Sequence, residues 1–165
     1  MNWGRWFRHR RLGRLHLQHA FPRARLDAIE QAIRAGEAVH GGEVRFAVEG
    51  ALDNHALRRD LSPRQRALDV FSLLRIWDTN DRNGVLIYVL LADQAVEILA
   101  DRGIHARVGD DGWAAICRDM EAGFRAGDVE AAVTGGIRAV NALLQRHFPA
   151  SGPRPNELPD VAVVL

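Results

Sequence analysis

Hard oxygen ligands gather in two short stretches of this chain. Asp78, Asp81 and Asn83 lie in the run Asp78-Thr79-Asn80-Asp81-Arg82-Asn83-Gly84, and Asp101 with Arg102 follows about twenty residues later. Carboxylates and amides on loops suit Ca²⁺ or Mg²⁺. An ion held by Asp81 and Asp101 could activate a water or polarise a phosphoryl oxygen, with Arg102 stabilising phosphate oxygens. The same residues also read as plain turn chemistry: Asp78 turning the chain after Trp77, Asn83-Gly84 as a turn with positive φ, and Asp101-Arg102 as a surface pair. Both readings stay open at the level of sequence. A calcium EF-hand is excluded. With Gly84 as its sixth residue, positions one, three and five are Thr79, Asp81 and Asn83, but position twelve is Leu90 where a bidentate glutamate is required.

Other chemistries find less support. The serines are Ser62, Ser72 and Ser151, a cap, a helix residue and a tail residue, so no serine triad is visible. Thr134-Gly135-Gly136 lacks the G-x-x-x-x-G-K frame of a phosphate-cradling loop. His16 and His19 are three apart without a third zinc ligand. The lone Cys117 sits beside Ile116 on a predicted helix and reads as core. A single cysteine also forbids an intrachain disulfide, and no disulfide-linked partner is expected.

The acidic residues are positioned by a predicted hairpin. Val85–Leu91 is apolar at both parities, as in a central strand covered on both faces. A turn near Asp93 leads into Ala95–Ala100, and so short a connection makes the pair antiparallel. Antiparallel pairing brings the start of the first strand beside the end of the second, so Asp81 and Asn83 should lie near Asp101 and Arg102. Around this hairpin the pattern predicts a helix opened by Pro22 with Leu26, Ile29 and Ile33 inward, ended by Gly41 and Gly42. A strand follows at Glu43–Glu49, its alternation suggesting a half-exposed position near a sheet edge. Ser62-Pro63 starts a helix whose periodic face is carried by Leu68, Phe71 and Leu74, extended by Arg75 with Ile76. Two helices close the domain, near Trp113–Arg125 (Ile116, Met120, Phe124 in register, Gly127 as stop) and near Val129–Phe148 (Val133, Ile137, Val140, Leu144).

The 165 residues match one domain, with 47% hydrophobic content. Three segments are predicted: a basic aromatic arm at 1–21, an α/β domain at 22–149, and a Pro-rich extended tail at 150–165 whose apolar end could add to a sheet edge. The net charge of +1 hides an asymmetry. Seven arginines precede the first acid, Asp27, leaving 15 of the 22 basic residues against all 21 acids, a net −6 for the remainder. The arm carries Trp3, Trp6 and Phe7 among Arg10, Arg11 and other arginines. It reads as an interfacial anchor on anionic lipid, as a nucleic-acid arm, or as an extension folded onto its own acidic domain. The partner expected from it is a membrane surface or a membrane protein complex, and not nucleic acid. No secretory signal follows the basic start, and no apolar run spans a bilayer. The expected location is cytoplasmic, with peripheral contact at the inner membrane face.

Taken in order, Asp81-Arg82-Asn83-Gly84-Val85-Leu86-Ile87, Val96–Ile104, Trp113 with a helix ending Phe124-Arg125-Ala126-Gly127-Asp128, and the Gly135-Gly136 helix resemble the TPM domain. That family takes its name from a thylakoid-lumen protein, a photosystem repair factor and a modulator of acetylcholine receptors. The resemblance covers roughly residues 22–149. It implies a three-layer α/β/α sandwich, Rossmann-like in shape but without a dinucleotide fingerprint, on a small mixed sheet that contains the hairpin. Some members are described as acid phosphatases, some bind calcium through acidic loops, and others are accessory factors of membrane complexes. Carried over, the acidic turn falls on Asp81 and Asn83, and the strand end on Asp101 and Arg102. The family's G-x-G after the second strand is here Ala100-Asp101-Arg102-Gly103. The expected function is therefore a non-catalytic accessory or binding module with a Ca²⁺, Mg²⁺ or partner site at the acidic hairpin end. The alternative is a metal-dependent acid phosphatase acting on phosphate monoesters, and no organic cofactor is expected.

Overall fold

The computed structural model describes residues 3–12, 14–152 and 155–165. Its centre is a four-stranded sheet of β1 (Glu43–Glu49), β2 (Gly84–Leu90), β3 (Ala95–Ala100) and β4 (Val163–Val164), in the order β3-β2-β1-β4. β2 and β3 form the antiparallel hairpin, with Val85 opposite Ala100 and Leu90 opposite Ala95. β1 runs parallel to both β2 and β4. A 3-10 turn at Leu91–Asp93 joins the hairpin strands.

Helices cover both faces. On one face lie α3 (Arg23–Glu37), α6 (Arg102–Arg125) and α7 (Val129–His147). Ile29, Ile33, Ile116, Met120, Phe124, Val133, Ile137, Val140 and Leu144 pack there against Val44, Phe46, Val48, Val85, Ile87 and Val89. Ile29, Ile33, Val133 and Ile137 are wholly buried, each worth about 1.5–3 kcal/mol of burial. On the other face, α4 (Asn54–Arg58) and α5 (Pro63–Leu73) bring Leu57, Ala67 and Val70 onto Leu86, Tyr88, Leu90 and Leu99. The result is the three-layer α/β/α sandwich that the resemblance implied.

Local rules explain several boundaries. Ser62 caps α5 in a full capping box with Gln65, and Pro63 fills the first helical position. Asp128 caps α7, and Gly127 takes φ +81° to end α6.

Four expectations are corrected. β1 is not half-exposed: it lies between β2 and the two-residue edge strand β4 and is buried along its whole length. The tail adds β4 to it from more than a hundred residues away, and Leu158 joins the core. The fully buried face of α5 is Ala67 and Val70, with Phe71 and Leu74 only partly buried beside it, and Leu68 is 51% exposed. Small side chains let this helix approach the sheet closely. The helix predicted from Trp113 begins at Arg102 and kinks at Gly109, where φ is +74°. Finally, the first residues form two helices, α1 (Trp3–Arg11) and α2 (Arg14–Ala20), and Leu17 and Phe21 join the main core.

Candidate functional site

The hairpin does bring its acidic ends together. The Asp101 amide donates to the Gly84 carbonyl at 2.8 Å, and the Gly103 amide to the Arg82 carbonyl at 3.1 Å. Gly103 is needed for this approach: a Cβ there would stand 2.7 Å from the Arg82 carbonyl oxygen and 2.9 Å from that of Asp81. Gly84 is equally constrained, because a Cβ would run into the Ile76 carbonyl. The 79–83 loop and the start of α6 are therefore one unit built on backbone contact.

Within that unit the predicted residues differ in state. Asp78 is exposed and pairs with Arg75 at 2.5 Å. Asp81 is exposed on the loop. Asn83 is 1% exposed. Its Nδ2 donates to the Gly41 carbonyl at 2.5 Å, and its amide to Thr79 Oγ1 at 3.1 Å. Its Oδ1 is buried and has no hydrogen-bond partner among the described residues. Asp101 is the N-cap of α6 and accepts from the Arg102 amide at 2.6 Å; Arg102 is exposed. Further bonds tie the loop to its surroundings: the Glu43 amide donates to the Asn83 carbonyl at 3.0 Å, and Asn80 donates through its amide and Nδ2 to Glu157 in the tail.

The donor set can be tested against a hard cation. Among the described residues no three His, Cys, Asp or Glu side chains gather as a metal-binding group. An all-carboxylate cage is therefore not built here. An oxygen site of mixed type fits better. Asn83 Oδ1 is an unpaired buried acceptor, and Ca²⁺ accepts amide and backbone carbonyl oxygens beside carboxylates. Asp101 and Asp81 would supply the charge.

Three polar arrangements escaped the sequence reading. At the far end of the hairpin, Asp93 binds Arg5 Nη2 at 2.7 Å and His9 Nε2 at 3.0 Å, with Arg8 at 3.3 Å. His9 Nδ1 accepts from the Leu52 amide at 2.9 Å. Nδ1 is thus unprotonated, and Nε2–H points at Asp93. Burial opposes ionisation of Asp93, but the bonds from His9 and Arg5 outweigh it and hold the carboxyl far below the usual carboxylate range. On the α5 side of the sheet, Tyr88 Oη donates to Glu49 at 2.7 Å, and Arg66 grips the same carboxylate through Nε at 2.8 Å and Nη2 at 3.1 Å. Around the tail, Glu43 accepts from the amides of Glu157 and Leu158, and Glu37 from that of Val44. Burial, with Glu43 and Asp160 nearby, pushes Glu37 up to about 8. Single buried acids among apolar strand residues, such as Glu49, were the only signal for these.

A groove of about 560 Å³ runs along β3 between α5 and α6, lined by Arg64, Phe71, Glu97, Trp113, Cys117 and Glu121 among others. Burial pushes the Cys117 thiol up to about 11, so it stays protonated at neutral pH. Asp78, Asp81, Asn83, Asp101 and Arg102 do not line this groove.

The TPM domain family model matches residues 17–143, well over half of the chain. The chain belongs to the TPM domain family. The solved structure of the BA42 protein from the psychrophilic bacterium Bizionia argentinensis is similar: 30% identity, a TM-score of 0.74, covering 86% of this chain and 92% of that one. The N-terminal domain of a P. gingivalis protein shares the fold at 17% identity, a TM-score of 0.64, and 79% and 82% coverage. No curated protein matches the chain. In this TPM domain no helix among the described residues is long and apolar enough to cross a membrane. The helix α1, with Trp3, Trp6, Phe7, Arg10 and Arg11, precedes the residues that the family model matches.

Proposed function

We propose that this TPM domain is a non-catalytic binding module whose hairpin end takes a divalent cation, Ca²⁺ or Mg²⁺, through Asn83, Asp101 and Asp81. One observation carries the reading: Asn83 Oδ1 is buried and unpaired in a loop otherwise tied down by hydrogen bonds. A buried acceptor left without a donor costs about 1–3 kcal/mol, and a hard cation would satisfy it. Asp78 is engaged by Arg75 and belongs to the loop's frame.

Amide NMR during Ca²⁺ and Mg²⁺ titration tests this. Shifts confined to residues 78–84 and 101–105 are expected. They should be lost in Asp101→Asn, which keeps a capping oxygen for α6 while removing the charge. Unchanged spectra at millimolar metal would sink the cation site. The alternative reading, a metal-dependent acid phosphatase using Asp81, Asp101 and Arg102, is tested on the same protein by phosphate release with Mg²⁺, Mn²⁺ and Ca²⁺. Turnover that disappears in Asp101→Asn would replace the binding module with an enzyme.

A further inference from the structure

The helix α1 is docked inside out. A surface helix normally turns its apolar residues to the core and its charges to water. Here Arg5 and His9, four apart, face inward onto Asp93, and the His9 side chain is fully buried. Trp3 and Phe7, also four apart, face outward and are 60% and 58% exposed. Arg10 and Arg11 continue the outer face at spacings of seven and eight from Trp3, and both are exposed. Trp6 bridges the two faces. It packs on the second core and meets Trp3 and Phe7 edge-on at 6.1 and 5.3 Å, with the Arg10 guanidinium 4.7 Å over its ring. The outer face is thus a compact aromatic cluster with cations along one side.

Among the described residues, only Trp6 ties α1 to the apolar core. The rest of its inner face is held by a buried carboxylate that accepts hydrogen bonds from Arg5, Arg8 and His9. Beside the cluster, a recess of about 380 Å³ is walled by Arg8, Arg11, Leu12 and His16. The recess is basic and of a size to take a phosphate group.

We infer that the outer face of α1 is an interfacial docking surface for a bilayer containing anionic lipid: Trp3 and Phe7 enter the headgroup–acyl boundary, and Arg10, Arg11 and the adjoining recess take lipid phosphates. Tryptophan prefers that boundary, and arginines there are drawn to the negative surface potential. The charge is complementary, since the outer face carries arginines and no acid. A nucleic acid would be drawn by the same arginines, but two exposed aromatic side chains on a continuous helix face suit a planar boundary better than a phosphate backbone. This inference is independent of the cation site.

The full chain is mixed with vesicles of phosphatidylcholine alone and with vesicles containing about a third phosphatidylglycerol, and the bound fraction is read by co-sedimentation. Binding is expected only to the anionic vesicles. Arg10→Gln/Arg11→Gln should weaken it on the order of 25-fold, roughly five-fold per arginine. Trp3→Ser/Phe7→Ser should abolish quenching of tryptophan fluorescence by brominated lipid. Neither double variant touches the Asp93 clamp, so both should fold. Inorganic phosphate at millimolar concentration should not displace the protein. Absence of binding by the unaltered chain, binding unchanged in both variants, release by free phosphate, or preferential capture of a short RNA would each overturn the assignment.

Discussion

The carboxylate of Asp93 and the imidazole of His9 meet at 3.0 Å, joining the turn of the central hairpin to a helix more than eighty residues earlier in the chain. With Arg5 on the same carboxylate at 2.7 Å, this contact decides which face of α1 the protein presents. Both partners are well buried, with side-chain exposures of 9% for Asp93 and 0% for His9.

Asp93→Ala should therefore do more than remove one surface pair. It leaves the Arg5 guanidinium largely desolvated and the His9 Nε2–H without an acceptor. The expected loss is roughly 3 kcal/mol, the lower end for breaking a buried pair from one side. The sign with pH follows from the depressed carboxyl. Its contribution is fully present above the ordinary carboxylate value and is lost as pH falls through the folded one. Thermal melts should show the unaltered chain and Asp93→Ala converging in strong acid and separated by the full difference above about pH 4. A constant difference from pH 2 to 7 would mean that the clamp does not depend on ionised Asp93.

Glu37 predicts the opposite slope. Its carboxyl is pushed up from 4.5 to about 8 chiefly by burial, with Glu43 and Asp160 adding repulsion. Arg45, buried nearby on β1, makes no ion pair with it, although Arg34 holds Asp160 at 3.0 Å. A raised acid favours the fold while neutral, so stability is full below the unfolded value and falls as pH climbs from about 4.5 towards 8. Glu37→Gln keeps an oxygen for the Val44 amide and removes the titration. The variant should be more stable than the parent at pH 8 by on the order of 1–2 kcal/mol, allowing for solvent screening at a half-buried group. Denaturant melts at pH 5 and pH 8 measure this; equal pH slopes in the two proteins would refute it.

How much of this was legible in the sequence depended on how local the cause was. Ser62, Pro63 and Gln65 announce α5 within four residues, and the apolar run Val85–Leu91 announces β2. The meeting of the 79–83 loop with the start of α6 followed from antiparallel pairing alone. The central place of β1 was hidden because its second neighbour, Val163–Val164, arrives from the far end of the chain. The inward face of α5 was misassigned because close approach to the sheet selects Ala67 over the larger Leu68, and periodicity scores size before fit. His9 was invisible among the arginines, since its burial depends on Leu52 and Asp93, which belong to later elements.

The backbone seam between the acidic loop and α6 can be tested through Gly103. An added methyl would press on the carbonyls of both Asp81 and Arg82, which cannot swing away without breaking the Gly103–Arg82 bond. Gly103→Ala should cost about 1–3 kcal/mol despite alanine's better helix propensity. The amides of residues 79–83 should then exchange with solvent faster than those of β2. Unaltered protection there would show that the loop is held by its tail contacts through Glu157 instead.

A carboxylate is sealed under α5. Glu49 ends β1, and its oxygens are shared between Arg66 and the buried hydroxyl of Tyr88. Tyr88 is wholly buried and its phenol is pushed far above its ordinary value, so it acts as a donor throughout the accessible pH range. Tyr88→Phe removes that donor and nothing else from a tightly packed site. Arg66 still neutralises Glu49, so the cost should be that of one charged hydrogen bond, about 1.5–3 kcal/mol. Arg66→Met in the same background removes the compensating charge as well. The double variant should lose more than the sum of the two single losses, because Glu49 then stays buried with neither partner. A double-mutant cycle from denaturant melts gives the coupling, and strictly additive losses would mean that Tyr88 and Arg66 hold Glu49 independently.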